Sequence, residues 1–234
     1  MSHECTEALF LRDTQQHTMT VVRDDGASRH LRFRGNDGSA YWFDLITWPG
    51  TLCIDGDMGT YVFRRLHDMF EFFRTDRDYM ERSGRAGQLA INPGYWDEKL
   101  QAPDPRDAME YSEKKFRRHV KEAFDTWVED NQPDDGEHTE QAVRDKFNET
   151  KEILWSELED DVLSAASDGD VRAYDAARAF SCETAPEFDM DYCWEWDCRE
   201  FKFHFIWCCY AIAWGIKTYD DAKSTQSATE KEAA

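Results

Sequence analysis

Residues 28–64 read SRHLRFRGNDGSAYWFDLITWPGTLCIDGDMGTYVFR and carry the strand pattern from which the fold class follows. Runs rich in β-branched and aromatic residues alternate there with short turn sequences such as Trp48-Pro49-Gly50. Strands joined by turns this short must pair antiparallel, because a parallel crossover needs a dozen or more residues. With a further run at residues 17–23, the pattern predicts an antiparallel meander of four or five strands.

The spacing of apolar residues changes after this meander, from a period of two to a period of 3.6. A short covering helix is predicted from the spacing of Leu66, Met69, Phe70 and Phe73. Further helices are predicted to begin at Ser112, near Thr139 and near Val171. A final helix over about 198–219 is apolar on nearly every side, although residues 201–205 also fit a short strand.

These patterns predict an α+β protein, in which an N-terminal antiparallel β-meander packs on a mainly helical C-terminal part. Residues 1–75 would hold the sheet and its covering helix. Residues 76–222 would hold an irregular loop and the helical region of the same compact unit. Residues 223–234 are small and polar, which predicts a disordered tail.

The negative charge of the chain is unevenly distributed. The formal net charge is −21, but residues 1–75 account for only −3, whereas residues 125–170 hold 16 acidic and 3 basic residues. A surface this negative repels nucleic acid, anionic membrane and phosphorylated substrates, and it attracts basic proteins. We therefore expect a basic protein as partner, without direct binding of nucleic acid or membrane. The basic residues of the first third of the chain are mainly arginines. A homo-oligomer, in which these arginines meet the acidic helices of another copy, is therefore a further alternative.

The acidic segment supplies the candidate partner-binding residues, which are Glu149, Glu152, Glu157, Glu159, Asp160 and Asp161. Helices of soluble proteins commonly place opposite charges at i and i+4, which stabilises them. The last four of these carboxylates have no basic residue within one turn, and like charges cost stability. A merely solvated helix face is the other interpretation.

The sequence contains no recognisable catalytic motif, so we predict no catalytic residue, cofactor or metal. Two weaker metal patterns remain as alternatives. The first is a pair of loop carboxylates, Asp55 and Asp57, which a hairpin turn also explains. The second is a set of zinc-type ligands, namely Cys193, Cys198, His204 and Cys208. The seven cysteines are expected to be reduced thiols, because their number is odd and the chain reads as cytosolic.

A second functional interpretation is an enzyme or a small-molecule (nucleotide) sponge with a pocket on the sheet. Its candidate residues are Trp48, Asp55, Asp57, Trp96 and Arg64. The N-terminus lacks the basic region of a signal peptide, and no apolar run reaches the length of a membrane span. Both observations predict a cytoplasmic protein.

Several stretches of the chain resemble a family of accessory proteins that tailed bacteriophages and prophages encode. These stretches are YWFDLITWPG (residues 41–50), GDMGTYVF (56–63), DMFEFFR (68–74), INPGYW (91–96) and FIWCCYAIAWG (205–215). The family carries no assigned activity and brings no catalytic residues. The resemblance implies a phage product in the bacterial host cytosol. By analogy with small acidic phage proteins, it implies an inhibitor of a bacterial defence system that presents carboxylates where the target expects phosphates.

Overall fold

The computed structural model describes residues 4–36, 40–84, 88–103, 108–134 and 140–232. It confirms the α+β class, with 54% helix and 19% strand. The α-helices are α1 (Glu7–Asp13), α2 (Met69–Arg82), α3 (Pro93–Asp97), α4 (Glu113–Asn131), α5 (Gln141–Glu157), α6 (Asp170–Ala179) and α7 (Phe203–Glu232). The strands are β1 (Thr18–Asp25), β2 (Ser28–Arg34), β3 (Phe43–Trp48), β4 (Thr51–Gly56), β5 (Tyr61–Arg64), β6 (Leu100–Ala102), β7 (Met109–Tyr111) and β8 (Arg199–Phe201).

Two compact units emerge from the contacts within the chain. The sheet unit comprises residues 1–110 and 201–234, and the helical unit comprises residues 111–200. The helical unit therefore interrupts the sheet unit in sequence. These limits differ from the predicted division after residue 75, because the chain returns to the sheet through α7, and a contact so distant in sequence leaves no local pattern.

The main sheet has six antiparallel strands in the order β1-β2-β3-β4-β5-β6. The first five follow the predicted meander. The sixth, β6, lies in the segment predicted to be irregular, and it pairs with β5 through Phe63↔Leu100 and Val62↔Ala102. A strand of three residues is too short to show a period of two, so only pairing with β5 reveals it. Strands β7 and β8 form a separate two-stranded sheet.

One face of the main sheet is the core of the sheet unit. Alternate residues on β2 and β3, such as Leu31, Phe33 and Leu45, are completely buried on this face. Helix α7 crosses it at Gly215, where an added Cβ would lie only 2.6 Å from Leu45 Cδ1 and 3.1 Å from Phe33 Cζ. Glycine at this position therefore lets the helix approach the sheet closely.

Two helices of the sheet unit differ from the sequence prediction: α1 was not predicted, and α2 begins later than expected. Helix α1 was not predicted, although Thr6 caps it by accepting a hydrogen bond from the Leu9 amide at 3.2 Å. Its one completely buried residue, Phe10, packs against Trp207 with ring centroids 5.0 Å apart. Helix α2 begins at Met69, so Leu66 precedes it and is 42% exposed.

Helix α7 also extends further than the sequence suggests. The segment expected to be a disordered tail is helical as far as Glu232. Lys223 forms an ion pair with Asp24 at 2.6 Å, and the Tyr219 hydroxyl donates to the same carboxylate at 2.8 Å. Both contacts hold this part of α7 on β1. The two alternatives for residues 201–205 are both partly right, because β8 ends at Phe201 and α7 begins at Phe203.

The helical unit has its own core, built on the predicted apolar stripe of α4. Ser112 caps α4, and Phe116, Val120, Phe124 and Trp127 are buried along it. The helix predicted from about Thr139 to Ala166 has three parts. Helix α5 is followed by a π-helical turn, Leu158–Leu163, and then by a 3-10 turn, Ala165–Asp168.

Candidate functional site

The acidity of the chain is concentrated in the helical unit. This unit holds 26 acidic and 11 basic residues, a net charge of −15, whereas the larger sheet unit has a net charge of −6. The six carboxylates predicted to bind a partner lie on α5 and on the π-helical turn that follows it. We call the six predicted carboxylates on these two elements the acidic face.

Five carboxylates of the acidic face are exposed, and Glu157 is half-buried. Glu159, Asp160 and Asp161 are consecutive and lie in the π-helical turn. Its hydrogen bonds run from residue i+5 to residue i, as in the 3.1 Å bond from the Ser164 amide to the Glu159 carbonyl. Leu158 and Val162 enter the core on either side of the three acids, which all remain at the surface.

No carboxylate of the acidic face forms an ion pair or a side-chain hydrogen bond with another described residue. Helix α4 of the same unit behaves differently. It carries ion pairs at i, i+4 between Glu113 and Arg117 (2.7 Å) and between Lys121 and Asp125 (2.5 Å). The absence of pairing is thus a property of the acidic face and not of helices in this unit generally.

A groove between α4 and α5 borders the acidic face. Its volume is about 480 Å³, and its lining residues are Lys121, Phe124, Lys151, Glu152, Trp155, Ser156 and Glu159. The Phe124 and Trp155 rings form its apolar floor, with centroids 4.8 Å apart. Sequence patterns did not single out Trp155, because one half-buried aromatic residue on an amphipathic helix is unremarkable. The groove gives the acidic face an apolar neighbour that a protein partner can cover.

The residues of the alternative pocket are not brought together as a set. Trp48 and Arg64 lie in one cross-strand row through Thr51, and Asp57 is exposed in the β4–β5 turn. Trp96, by contrast, is completely buried in the core, where its indole N–H donates to Asp76 at 2.8 Å. Composition could not distinguish this core tryptophan from a ligand-binding one. Trp96 is therefore not available to line the predicted sheet pocket.

Sequence reasoning missed an ionic cluster on the outer face of the sheet. Asp44 is 5% exposed, accepts a hydrogen bond from Arg32 at 2.9 Å and contacts His30 Nε2 at 2.7 Å. Burial raises the pKa of Asp44, but the bonds from Arg32 and His30 outweigh this effect and lower the pKa overall. The residues come from neighbouring strands at Arg32↔Asp44 and His30↔Ile46, so only the register brings them together.

The candidate metal ligands are not assembled. Cys193 and Cys198 belong to the core of the helical unit, whereas Cys208 is buried in the sheet unit and His204 is exposed. Asp55 accepts a hydrogen bond from Thr60 at 2.5 Å. Among the residues that the structure describes, no group of three or more His, Cys, Asp or Glu side chains could hold a metal ion.

The cysteine thiols have environments that oppose nucleophilic chemistry. Burial, with a smaller contribution from Asp13, raises the pKa of Cys5 to about 12. Burial also raises the pKa of Cys208 and Cys209. The thiolate is the reactive form of cysteine, and a raised pKa keeps these groups protonated near neutral pH. These three thiols are therefore suited to packing and not to nucleophilic attack.

In the described part of the chain, no helix combines the length and apolar character of a membrane span. Comparison of the chain with models of protein families, with curated proteins and with solved structures finds no match.

Proposed function

We propose that this protein is a phage-encoded inhibitor of a bacterial defence system, which acts in the host cytosol by stoichiometric binding to a basic host protein or defence complex. The acidic face is the proposed binding surface. The observation that carries the proposal is that its six carboxylates form no ion pair with any other described residue, on a unit of net charge −15. Exposed charges that no intramolecular partner neutralises favour association with a surface of the opposite sign.

The spacing of the carboxylates supports imitation of a short stretch of nucleic acid. Glu149 and Asp161 are twelve residues apart, which corresponds to about 18 Å at 1.5 Å per helical residue. A DNA duplex of that length carries roughly ten phosphate charges, at one per ~1.7 Å. The acidic face presents six charges over the same distance. It therefore suits a short Lys- or Arg-lined segment of a nucleic-acid-binding channel.

The proposal is tested with a charge-reversed variant that carries Glu159→Lys, Asp160→Lys and Asp161→Lys. A matched control carries the same change in charge on the sheet unit, through Glu4→Lys, Asp78→Lys and Glu81→Lys. All three control positions are exposed and form no ion pair with a described residue. The charge-reversed variant should not lose stability through the charges themselves, because removing neighbouring like charges relieves repulsion. In the control, Asp78→Lys and Glu81→Lys add repulsion with arginines one turn away on α2, so thermal melts check that both variants remain folded.

Each protein is expressed in bacterial strains that carry one nucleic-acid-dependent defence system each, and a defence-sensitive phage is plated on them. Wild type and the matched control should restore plating in the same strain, and the charge-reversed variant should not. The target captured from that strain should bind wild type more weakly as salt rises, because exposed charges are screened over ~8–10 Å. The proposal fails if no strain responds to wild type, or if both variants lose activity equally.

A further inference from the structure

Two aromatic rings of the helical unit, Tyr192 and Trp194, project into solvent. They are 66% and 61% exposed, and their ring centroids lie 5.4 Å apart at an interplanar angle of 48°. Aromatic rings of this size normally contribute large buried areas to cores and interfaces. An adjacent exposed pair is therefore a candidate contact surface.

The backbone around the pair is firmly anchored. Cys193, between the two rings, is completely buried, and Met190 is 5% exposed. The segment is closed by backbone hydrogen bonds of 2.9 Å from Cys193 to Met190 and 2.9 Å from Glu195 to Tyr192. Because Cys193 points into the core, its two neighbours are directed outward. The rings are thus presented on a preorganised turn, which lowers the entropy lost on binding.

The segment that carries the pair is acidic, and Arg178, which acts electrostatically on Cys193, lies just before it in the sequence. Residues 179–198 contain six acidic residues and no Lys, Arg or His. Asp191 and Glu195 flank the aromatic pair, are exposed, and form no ion pair with a described residue. Other carboxylates of the segment are already engaged, such as Asp197 with Lys115 at 3.3 Å. The patch therefore combines two aromatic faces with two available carboxylates.

We propose that this aromatic–acidic patch, formed by Asp191, Tyr192, Trp194 and Glu195, binds arginine side chains on a basic protein partner. A guanidinium group stacks on aromatic faces and donates hydrogen bonds to carboxylates at the same time. A lysine ammonium group is more strongly hydrated and has no plane to stack. Anionic membranes and nucleic acids are repelled by the flanking carboxylates. The inference rests on the proposed function in one respect, that the partner is a basic protein.

The test uses the full chain and two blocked peptides of equal length and charge, one with arginines and one with lysines at the same positions. Binding is followed by the indole N–H signals in NMR spectra, with the Trp194 signal assigned through Trp194→Phe. Wild type should bind the arginine peptide about threefold to fivefold more tightly than the lysine peptide, because the planar guanidinium adds stacking and bidentate hydrogen bonds that an ammonium group lacks. The Trp194 signal should shift during the titration.

Trp194→Ala and Tyr192→Ala should each reduce this preference, and the matched control Trp48→Ala should retain it. Trp48 is 46% exposed and lies in the sheet unit. The exposed positions should tolerate alanine, and thermal melts check this. Equal binding of both peptides by wild type, or an unchanged preference in Trp194→Ala, would overturn the inference. The charge-reversed variant of the acidic face should keep the arginine preference, so failure of the patch and failure of the proposed function give different results.

Discussion

Arg29 and Asp68 form a bidentate ion pair in which both hydrogen bonds are 2.8 Å long. The pair joins β2 to the residue that caps α2, because Asp68 also accepts a bond from the Phe70 amide at 2.9 Å. The Arg29 guanidinium lies 4.6 Å from the centroid of the Phe70 ring. One carboxylate thus begins the covering helix and attaches it to the sheet.

Removal of the charge on Asp68 should destabilise the sheet unit. In Asp68→Asn an oxygen remains to cap α2, but Arg29, which is 8% exposed, loses its bidentate partner and keeps only the longer ion pair with Asp24 at 3.9 Å. We expect a loss of about 2 to 3 kcal/mol in the free energy of unfolding, measured by urea denaturation, because a buried charge that loses its close partner is costly. Asp57→Asn, at an exposed position without an ion pair, should change it by less than about 0.5 kcal/mol. Equal effects in the two variants would contradict the role given to the pair.

Stability should fall in acid. The pKa values of five aspartates are lowered, namely Asp24, Asp44, Asp68, Asp197 and Asp220. Burial raises the pKa of Asp44, Asp68 and Asp220, but ion pairs outweigh this effect: Arg32 and His30 at Asp44, Arg29 at Asp68, and Arg74 and Arg77 at Asp220. A carboxylate with a lowered pKa in the folded state contributes stability above its unfolded pKa of about 3.9, and this contribution is lost as the pH falls through the folded value.

Urea midpoints should therefore be nearly constant above about pH 5 and decrease below about pH 4. The variant Asp220→Asn should be less stable near neutral pH but lose less stability in acid than wild type does. Arg74 and Arg77 bind this carboxylate at 2.6 and 2.8 Å, so the substitution removes one of these contributions. The same acid loss in both proteins would show that other groups control the transition.

Gly56 should tolerate no side chain. A Cβ at this position would collide with the Trp42 carbonyl oxygen and lie 2.8 Å from Phe43 Cα, and backbone atoms cannot move aside without disturbing the pairing of β3 and β4. Gly56→Ala should cost about 1 to 3 kcal/mol or more in urea denaturation. Gly94→Ala is the control, because a Cβ there meets no atom within 4 Å in α3, and it should be neutral or stabilising by up to about 1 kcal/mol.

The native thiols should react slowly with iodoacetamide at mildly alkaline pH. Burial raises the pKa of Cys53 to about 11, with a smaller contribution from Asp55, and Cys208 and Cys209 are buried. Intact-mass measurements should show slow addition, first at the half-buried Cys53, and rapid addition at all seven cysteines in urea. Cys53→Ser should remove the first native addition. Rapid modification of several thiols in the folded protein would contradict the burial described.

The class of the fold and the order of most elements follow from local sequence patterns. In the meander, turns and β-branched runs act over a few residues, so β2 to β5 were predictable from local preference alone. The stripe of α4 and its cap at Ser112 were predictable for the same reason. The uneven distribution of negative charge was also predictable, because the charge of each segment is counted directly from its residues.

Which side chains meet depended on the tertiary structure. It buried Trp96 in the core and paired Arg32 with Asp44 across two strands, and it left the carboxylates of the acidic face without an ion pair to any other described residue. It also directed Tyr192 and Trp194 outward around a buried cysteine. Each of these outcomes depends on contacts between residues distant in sequence, or on which side of a turn faces the core. A period of two or 3.6 residues predicts neither long-range contacts nor the side of a turn that faces the core. The sequence therefore showed which residues the candidate surfaces contain, but not how those residues are arranged.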